Sequence, residues 1–351
     1  MSQHPDLPGL PPFRERSPWI GGDLQTLRDT LRWLRFPPER AEEVTISLAG
    51  DDRLVALLDR PAARRPLGLV VVLHGLGGSS DGPGPRRLSL ALGAQGFAVL
   101  RLNLRGAGRG RRLARGTYCA RCTDDLGPAL ERARQLAAAL ARESSPVASP
   151  LPLFAAGISL GGTVLLNGCL DGLPLDGLVC VSSPLDLSVC ADQFERPRNR
   201  VYHRWLLDRL REQTLADPAG LTASERLALV GPARARTIRG FDAAITAPRW
   251  GFASVAAYYA AASPLQALLE GRDLPPTLLL HAEDDPWVPV GPLQKLAAAT
   301  GGLRGLVPEV VITPRGGHNG FHAPGDGPEG CWADRLVATW LERLSRQRQA
   351  G

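Results

Sequence analysis

The 351-residue chain has a single lysine, Lys295, and no apolar run of about 18 residues or more, so it lacks a segment that could cross a membrane. Its first residues, "MSQHPDLPGLPPFRERSPW", also lack the basic start and apolar core of a secretory signal. These absences predict a cytoplasmic protein without a membrane span. They leave open a peripheral contact between the N-terminal segment and a membrane.

Aromatic residues make up only 5% of the chain, and all but one of its 41 basic residues are arginine. The most basic run, residues 105–122, contains one aromatic residue, Tyr118, whereas a platform for single-stranded nucleic acid needs several. The net charge of +6 therefore indicates a coding bias toward arginine more than nucleic-acid binding. We interpret residues 105–122 as a solvated loop near the mouth of a site, where its charge attracts an anionic substrate.

The six cysteines do not form the pattern of a metal site. Cys119 and Cys122 form a C-x-x-C pair, but no second pair completes a structural zinc site. Reduced thiols are expected in a cytoplasmic chain of this size. Cys169 and Cys180 lie in apolar runs and are expected to be small core residues. We therefore expect neither a metal nor another cofactor.

What the sequence does contain is a regular alternation of apolar runs with helical patterns. Repeated strand–helix units predict an α/β fold, with a mostly parallel sheet and helices on both faces. Residues 43–49 and 53–59 flank a Gly-Asp-Asp turn, which predicts an antiparallel hairpin. Further strands are predicted at residues 67–75, 97–104, 151–159, 177–183, 276–282 and 308–314.

The alternation stops between residues 184 and 262, where the chain is polar, rich in arginine and helical in pattern. We interpret residues 184–262 as a helical cap inserted over the carboxyl edge of the sheet. The alternative is a peripheral helical elaboration without a role at the site. Residues 43–183 and 263–351 then form the core, and residues 1–42 form an N-terminal extension that packs on it.

Two serines match the pentapeptide G-x-S-x-G: Ser159 in GISLG and Ser80 in GSSDG. A nucleophilic serine on a tight turn needs a strand before it and a helix directly after it. Ser159 meets both conditions, because it follows "LPLFAAGI" and precedes "LGGTVLLNGCL". Ser80 is followed by "DGPGP", where the prolines and glycines oppose an immediate helix. Ser159 is the predicted nucleophile.

A serine nucleophile needs a base, and the base needs an orienting carboxylate. These partners follow late strands in the order acid, then histidine. The strand at 276–282 is followed by "EDDPW", from which we choose Asp285, with Asp284 as the fallback. The strand at 308–314 is followed by "RGGHNGFH", from which we choose His318 over His322.

Two backbone N–H groups must meet the negative charge that develops on the substrate oxygen. We expect them at Leu160, which follows the nucleophile, and at Leu76 in the "LHGLGG" loop. His74 is expected to brace that loop. Structural or solvated roles are expected for the remaining histidines, His4, His203 and His281.

Taken together, these features predict the α/β-hydrolase fold. The chain also resembles the YheT-like branch of the α/β hydrolases, which is related to ABHD-type lipases and esterases. The family's serine, aspartate and histidine fall on Ser159, Asp285 and His318. Where that branch usually has a Tyr-His-Ser-Gly-like stretch, this chain has "YCARC" before "TDD", which points to a difference in specificity. The resemblance rests on "PWIGGDLQTL" (18–27), "LHGLGGS" (73–79), "LNLRGAG" (102–108), "TDDL" (123–126), "GISLGGTVLLN" (157–167), "FDAAITAPRWGF" (241–252), "YYAAASPLQAL" (258–268), "EDDPW" (283–287) and "GGHNGF" (316–321).

The expected function is hydrolysis of a small-molecule acyl ester through a Ser-His-Asp triad and an acyl-enzyme. Transfer of the acyl group to an alcohol by the same triad is the alternative, and a noncatalytic scaffold is a third. The resemblance implies medium or long acyl chains. Five cap aromatics are candidates for an apolar acyl pocket, with core packing the alternative for each: Trp205, Trp250, Phe252, Tyr258 and Tyr259.

Overall fold

The computed structural model describes residues 10–32, 34–145, 147, 149–299, 307–327 and 329–350. Its centre is an eight-stranded sheet in the order β1-β2-β4-β3-β5-β6-β7-β8. Only β2 runs against its neighbours, so the predicted hairpin and the mostly parallel sheet are both confirmed. The strands are β1 (Glu42–Ser47), β2 (Arg53–Asp59), β3 (Leu69–Leu73), β4 (Ala98–Leu102), β5 (Leu153–Ile158), β6 (Gly177–Val181), β7 (Thr277–Ala282) and β8 (Glu309–Thr313).

Both faces of the sheet are covered, because its central strands are apolar at every position and bury both sets of side chains. One face packs on α3 and α4, and the opposite face packs on α2 and α13. The helices of the core are α1 (Gly22–Leu31), α2 (Pro83–Ala94), α3 (Thr123–Ser144), α4 (Leu160–Leu170), α11 (Leu265–Leu269), α12 (Gly291–Ala299) and α13 (Trp332–Ala350).

Between β6 and β7 the chain forms a series of helices with an apolar cluster of their own. We refer to residues 184–262 as the cap. Phe194, Leu206, Leu210, Ile238 and Phe241 lie at the centre of its cluster. The helices are α5 (Leu187–Glu195), α6 (Arg200–Leu215), α7 (Ala223–Leu229), α8 (Ile238–Phe241), α9 (Ala247–Arg249) and α10 (Val255–Ala262), with a π-helical turn at Asp242–Thr246 between α8 and α9.

The described part of the N-terminal segment lies against the end of the chain. The Phe13 ring packs on Phe321 and Trp332, with centroids 5.7 and 5.5 Å away. The Trp332 indole donates to the carbonyl of Pro11 at 2.8 Å. These contacts bring α1 to the carboxyl edge of the sheet, beside the loop after β8.

Most of the arginines of residues 105–122 are paired with carboxylates. Arg105 forms ion pairs with Asp125 at 2.6 Å and Asp52 at 2.8 Å. Four others also face carboxylates, in the pairs Arg109–Asp81, Arg111–Asp217, Arg115–Asp52 and Arg121–Asp171, whereas Arg112 is exposed. Acids elsewhere in the chain therefore pair with much of this charge, and the expectation that the loop attracts an anionic substrate stays a prediction.

All six cysteines are buried with free thiols, and Cys119 and Cys122 are each about 1% exposed. Burial raises the pKa of the Cys122 thiol to about 12, which disfavours the reactive thiolate. In the described parts of the chain, no group of three or more His, Cys, Asp or Glu side chains could hold a metal ion. None of the described helices has the length and apolar character needed to cross a membrane.

Candidate active site

Ser159 lies on the turn between β5 and α4 with φ 54° and ψ −127°, a backbone conformation that is strained for a residue with a side chain. The surrounding glycines permit this turn. A Cβ atom on Gly157 would lie 2.3 Å from the Cα atom of Gly162, and one on Gly162 would lie 2.0 Å from the hydroxyl of Ser183. Strand, turn and helix therefore approach each other more closely than any other residue type would allow, and the Ser159 hydroxyl faces the cavity.

His318 joins the serine to a carboxylate. Its Nε2 atom lies 3.0 Å from Ser159 Oγ, and its Nδ1 atom lies 2.8 Å from Asp285 Oδ2. An ionised carboxylate only accepts hydrogen bonds, so Nδ1 carries the proton and Nε2 can accept from the serine hydroxyl. The structure thus brings together the three residues chosen from the sequence.

Asp285 is held in place from its other oxygen. Oδ1 accepts backbone N–H bonds from Trp287 at 2.8 Å and Val288 at 2.9 Å. Burial disfavours the charged carboxyl, but attraction to His318, the hydrogen bond from that ring and the nearby His281 hold its pKa below the usual value. The Trp287 ring also stacks on His318, with centroids 4.6 Å apart.

The two fallback residues have other contacts. Asp284 Oδ1 accepts from the backbone N–H of Gly317 at 2.9 Å. It therefore shapes the loop after β8 that carries His318, the histidine loop, and does not hold the His318 ring. His322 is fully buried, and its Nε2 atom lies 3.4 Å from Asp29. Burial and the neighbouring cations lower the pKa of His322 to about 3, which makes it a poor general base near neutral pH.

Leu76 and Leu160, the two predicted oxyanion donors, flank the serine on the loop after β3 and at the first turn of α4. Both line the cavity together with Ser159. Among the described residues, neither backbone N–H donates to a protein acceptor. Both are therefore free to bind an oxygen atom of a ligand.

The hydroxyl of Tyr118 holds the Leu76 loop on both sides, a contact that the sequence reasoning missed. It accepts from Gly77 N at 2.7 Å and lies 3.3 Å from the carbonyl of Gly75, to which it can donate. The side chain is 5% exposed, and its ring meets His74 edge-on at 5.5 Å. Tyr118 thus fixes the backbone immediately before and after Leu76.

His74 braces the same loop. Its Nε2 atom accepts from Leu104 N at 3.2 Å, so its Nδ1–H donates to Gly75 O at 2.8 Å. Burial lowers the pKa of His74 to about 4, which keeps the ring neutral near pH 7. The rival Ser80 is 1% exposed, and its hydroxyl accepts from the side chain of Asn103 at 2.9 Å.

The other histidines lie away from the serine or outside the described residues. His203 accepts from Ile238 N within the cap at 2.9 Å. His281 Nε2 lies 2.9 Å from the carbonyl of Val288. His4 belongs to residues 1–9, outside the described part of the chain.

The N-terminal helix α1 anchors the histidine loop, the second feature that sequence reasoning missed. The Thr26 hydroxyl accepts from the backbone N–H of His318 at 2.8 Å and donates to Gly22 O at 2.6 Å. The fully buried Gln25 side chain accepts from His322 N at 2.8 Å and donates to the carbonyl of His322 at 3.1 Å. The Gln-Thr pair within "PWIGGDLQTL" was the signal, but nothing local linked it to a loop 292 positions away.

A cavity of about 770 Å³ lies beside Ser159 and His318. Apolar side chains of the cap form one wall, including Phe194, Leu206 and Phe241. The wall near α1 is more polar and includes Asp23, Thr26, Thr30, Arg87 and Arg198. Of the five candidate aromatics, Trp205, Tyr258 and Tyr259 line the cavity, whereas Trp250 and Phe252 pack on the apolar core beside the sheet.

A serine on a strand–helix turn, with a histidine and an aspartate on loops after the last two parallel strands, is the site of an α/β hydrolase. The sequence pattern of the alpha/beta hydrolase family matches residues 70–329. YheT of Escherichia coli (strain K12) is 31% identical over 300 residues, which are 83% of this chain and 82% of that protein. The chain therefore belongs to the alpha/beta hydrolase family, in the YheT-like branch, and the predicted fold is confirmed.

Eukaryotic relatives are longer than this chain. Phospholipase ABHD3 of Mus musculus is 27% identical over 82% of this chain, and the match spans 64% of the relative. Medium-chain fatty acid ethyl ester synthase/esterase 2 of Saccharomyces cerevisiae is 28% identical over 79% of this chain and 62% of the relative. Among solved structures, a soluble variant of monoglyceride lipase from Saccharomyces cerevisiae, in complex with a substrate analog, has the same fold. Its TM-score is 0.56 at 15% identity, over 89% of this chain and 96% of that one.

The bond from His318 N to the Thr26 hydroxyl generates a first prediction. Thr26→Val removes the hydroxyl at nearly constant volume, so the histidine loop loses its anchor and the Ser159–His318 bond loosens. We expect the rate at which a fluorophosphonate reacts with Ser159 to fall about tenfold. Thr26→Ser, which keeps the hydroxyl, should restore the rate. Equal labelling rates in the valine and serine variants, with the same melting temperature, would show that Thr26 does not anchor the histidine loop.

Proposed function

We propose that this chain is a serine hydrolase that cleaves carboxylic esters through an acyl-enzyme formed on Ser159. The single observation that carries the proposal is the position of His318, whose two ring nitrogens lie within hydrogen-bonding distance of Ser159 and Asp285. In this arrangement a neutral imidazole can take the serine proton while a buried carboxylate stabilises the resulting cation.

The reaction proceeds in two halves. Ser159 Oγ attacks the ester carbonyl carbon as its proton passes to His318 Nε2, and the carbonyl oxygen becomes an oxyanion held by the N–H groups of Leu76 and Leu160. The carbon–oxygen bond to the alcohol breaks, and the alkoxide takes the proton back from Nε2. Water then attacks the acyl-enzyme by the same route, which releases the acid and restores the serine. No step needs a metal or cofactor.

The relatives and the cavity support esters as the substrate class. The mouse relative is named a phospholipase, and the yeast relative is named a fatty acid ethyl ester synthase/esterase. The cap wall of the cavity is formed by apolar side chains such as Leu206, Leu210 and Ile238, which suit a hydrocarbon chain. We propose that the cap, residues 184–262, binds the acyl group, and that α1 borders the alcohol side.

The choice between the two serines can be tested directly. A fluorophosphonate probe should label the wild-type protein on one serine, and Ser159→Ala should abolish labelling and ester hydrolysis together. Ser80→Ala is the matched control, because Ser80 lies in the same motif but its hydroxyl is bonded to Asn103. That variant should be labelled at the wild-type rate. Labelling that survives in Ser159→Ala would overturn the proposal.

Tyr118 gives a prediction for the proposed oxyanion site. Tyr118→Phe removes the hydroxyl that joins Gly75 and Gly77, so the Leu76 N–H loses its fixed direction. We expect kcat to fall about tenfold or more while KM changes little, since the donor acts mainly in the transition state. Affinity for a boronic acid, which mimics that state, should fall by the same factor. A change in KM alone would contradict this role.

Transfer of the acyl group to an alcohol is the second candidate, and the name of the yeast relative favours it. Both reactions share the acyl-enzyme and differ in what attacks it. In an ester assay with increasing ethanol, the formation of both products should depend on Ser159. The ratio of ethyl ester to acid then measures how the acyl-enzyme divides between ethanol and water. A hydrolase yields mainly acid at millimolar ethanol. A predominance of ethyl ester under those conditions would favour the transferase.

A further inference from the structure

The cavity contains a carboxylate that the proposed reaction does not use. Asp242 lies on the π-helical turn Asp242–Thr246 and lines the cavity together with Tyr258 and Tyr259 of α10. A π-helical turn inserts one extra residue into a helix, and such turns occur frequently at functional sites. Here the turn lies between α8 and α9, in the part of the cap that faces the cavity.

Asp242 is bonded by hydroxyl groups, and within the described residues it forms no ion pair. The Tyr259 hydroxyl donates to Asp242 Oδ2 at 2.8 Å, and the Thr246 hydroxyl also bonds this carboxyl. The nearby Arg239 forms its ion pair with Asp192, and its guanidinium stacks over the Tyr259 ring. Burial outweighs these hydroxyl bonds and the attraction of Arg239, and raises the pKa of Asp242 to about 6. A carboxyl without a paired cation is costly in a core, yet this one borders an open volume where a ligand could bond it.

A hydrogen-bond donor, the hydroxyl of Tyr258, lies near Asp242. Tyr258 Oη accepts from Ala120 N at 2.9 Å, and within the described residues its own proton reaches no acceptor. Burial and the negative charge of Asp242 both raise the pKa of Tyr258, so the phenol keeps its proton. Asp242 and Tyr258 therefore offer one acceptor and one donor to the same part of the cavity.

In the proposed reaction, this pair would face the acyl part of the substrate. Ala120, which Tyr258 binds, follows Tyr118 and Cys119, and the Tyr118 hydroxyl holds the oxyanion loop at Gly77. The leaving alcohol must instead lie near His318, which returns the proton and packs against α1 through Thr26. The proposed reaction would therefore direct the two parts of an ester toward opposite ends of the cavity.

We propose that Asp242 and Tyr258 form a subsite that binds a hydroxyl group on the acyl chain of the substrate. The inference rests on the proposed esterase function and deepens it by naming a substrate class, the esters of hydroxy acids. A hydroxyl group donates one hydrogen bond and accepts others, so it satisfies the carboxyl and the phenol together. An ammonium group has only donors and would leave the Tyr258 proton unused.

The test compares the ethyl ester of a straight-chain acid with the ethyl esters of its monohydroxy derivatives, one hydroxyl position at a time. We expect one position to raise kcat/KM about tenfold over the unsubstituted ester, as one hydrogen bond to a charged group allows. In Asp242→Asn and in Tyr258→Phe, the ratio of kcat/KM for this hydroxy ester to kcat/KM for the unsubstituted ester should fall toward one. The value for the unsubstituted ester should change much less in either variant.

A matched pair at the other end of the cavity provides the control. The Tyr202 hydroxyl donates to Asp23 at 2.9 Å, and both residues line the cavity near α1. Asp23→Asn and Tyr202→Phe make the same chemical changes there and should leave the hydroxyl-dependent ratio as in the wild type. A ratio that falls equally in these controls would overturn the subsite.

The remaining outcomes separate the inference from the function on which it rests. If Ser159 is labelled by the fluorophosphonate but the ratio is one at every hydroxyl position, the subsite is overturned and the esterase proposal stands. An equal loss of activity on both kinds of ester in Asp242→Asn and Tyr258→Phe also overturns it, because that result indicates a purely structural pair. Absence of both labelling and hydrolysis overturns the esterase proposal and the subsite together.

Discussion

The site depends on one constraint, the tight turn that carries Ser159 from β5 into α4. Holding a serine at φ 54° costs about 1–3 kcal/mol, and the turn exists only because glycine occupies positions 157 and 162. The helix that follows compensates for this cost. Val164, Leu165 and Leu166 are almost completely buried, and each such side chain contributes about 2 kcal/mol on burial. A strained serine is thus kept in place by the packing of the helix it begins.

The partners of the serine are oriented by groups outside the Ser-His-Asp set. Backbone N–H groups and a stacked indole fix Asp285 and His318, and Thr26 holds the histidine loop from the opposite end of the chain. Tyr118 does the same for the loop that carries Leu76. Each contact is a single hydrogen bond or ring contact, but together they leave the three side chains little freedom to separate.

The sequence predicted the features that depend on local pattern and order. Buried strands are continuous apolar runs, so the strands were located to within a few residues. The order of Ser159, Asp285 and His318 follows from strand topology, and the structure brings them into contact, although their chemical roles stay a proposal. The Thr26 and Tyr118 contacts and the ion pairs of residues 105–122 could not be predicted, because their partners lie tens to hundreds of positions away. The π-helical turn at Asp242 was missed because its one-residue insertion leaves no distinct pattern in the sequence.

The bond between Thr26 and the His318 loop joins residues 292 positions apart, and this separation has a consequence for how the enzyme is made. Domains fold as the chain emerges during synthesis, and contacts between distant residues form late. When the serine turn first leaves the ribosome, the proposed base and acid are still untranslated, and α1 has no loop to hold. The nascent chain therefore carries Ser159 without its proposed partners until the later strands and helices dock. If the proposed triad is correct, hydrolysis begins only after these later segments have folded.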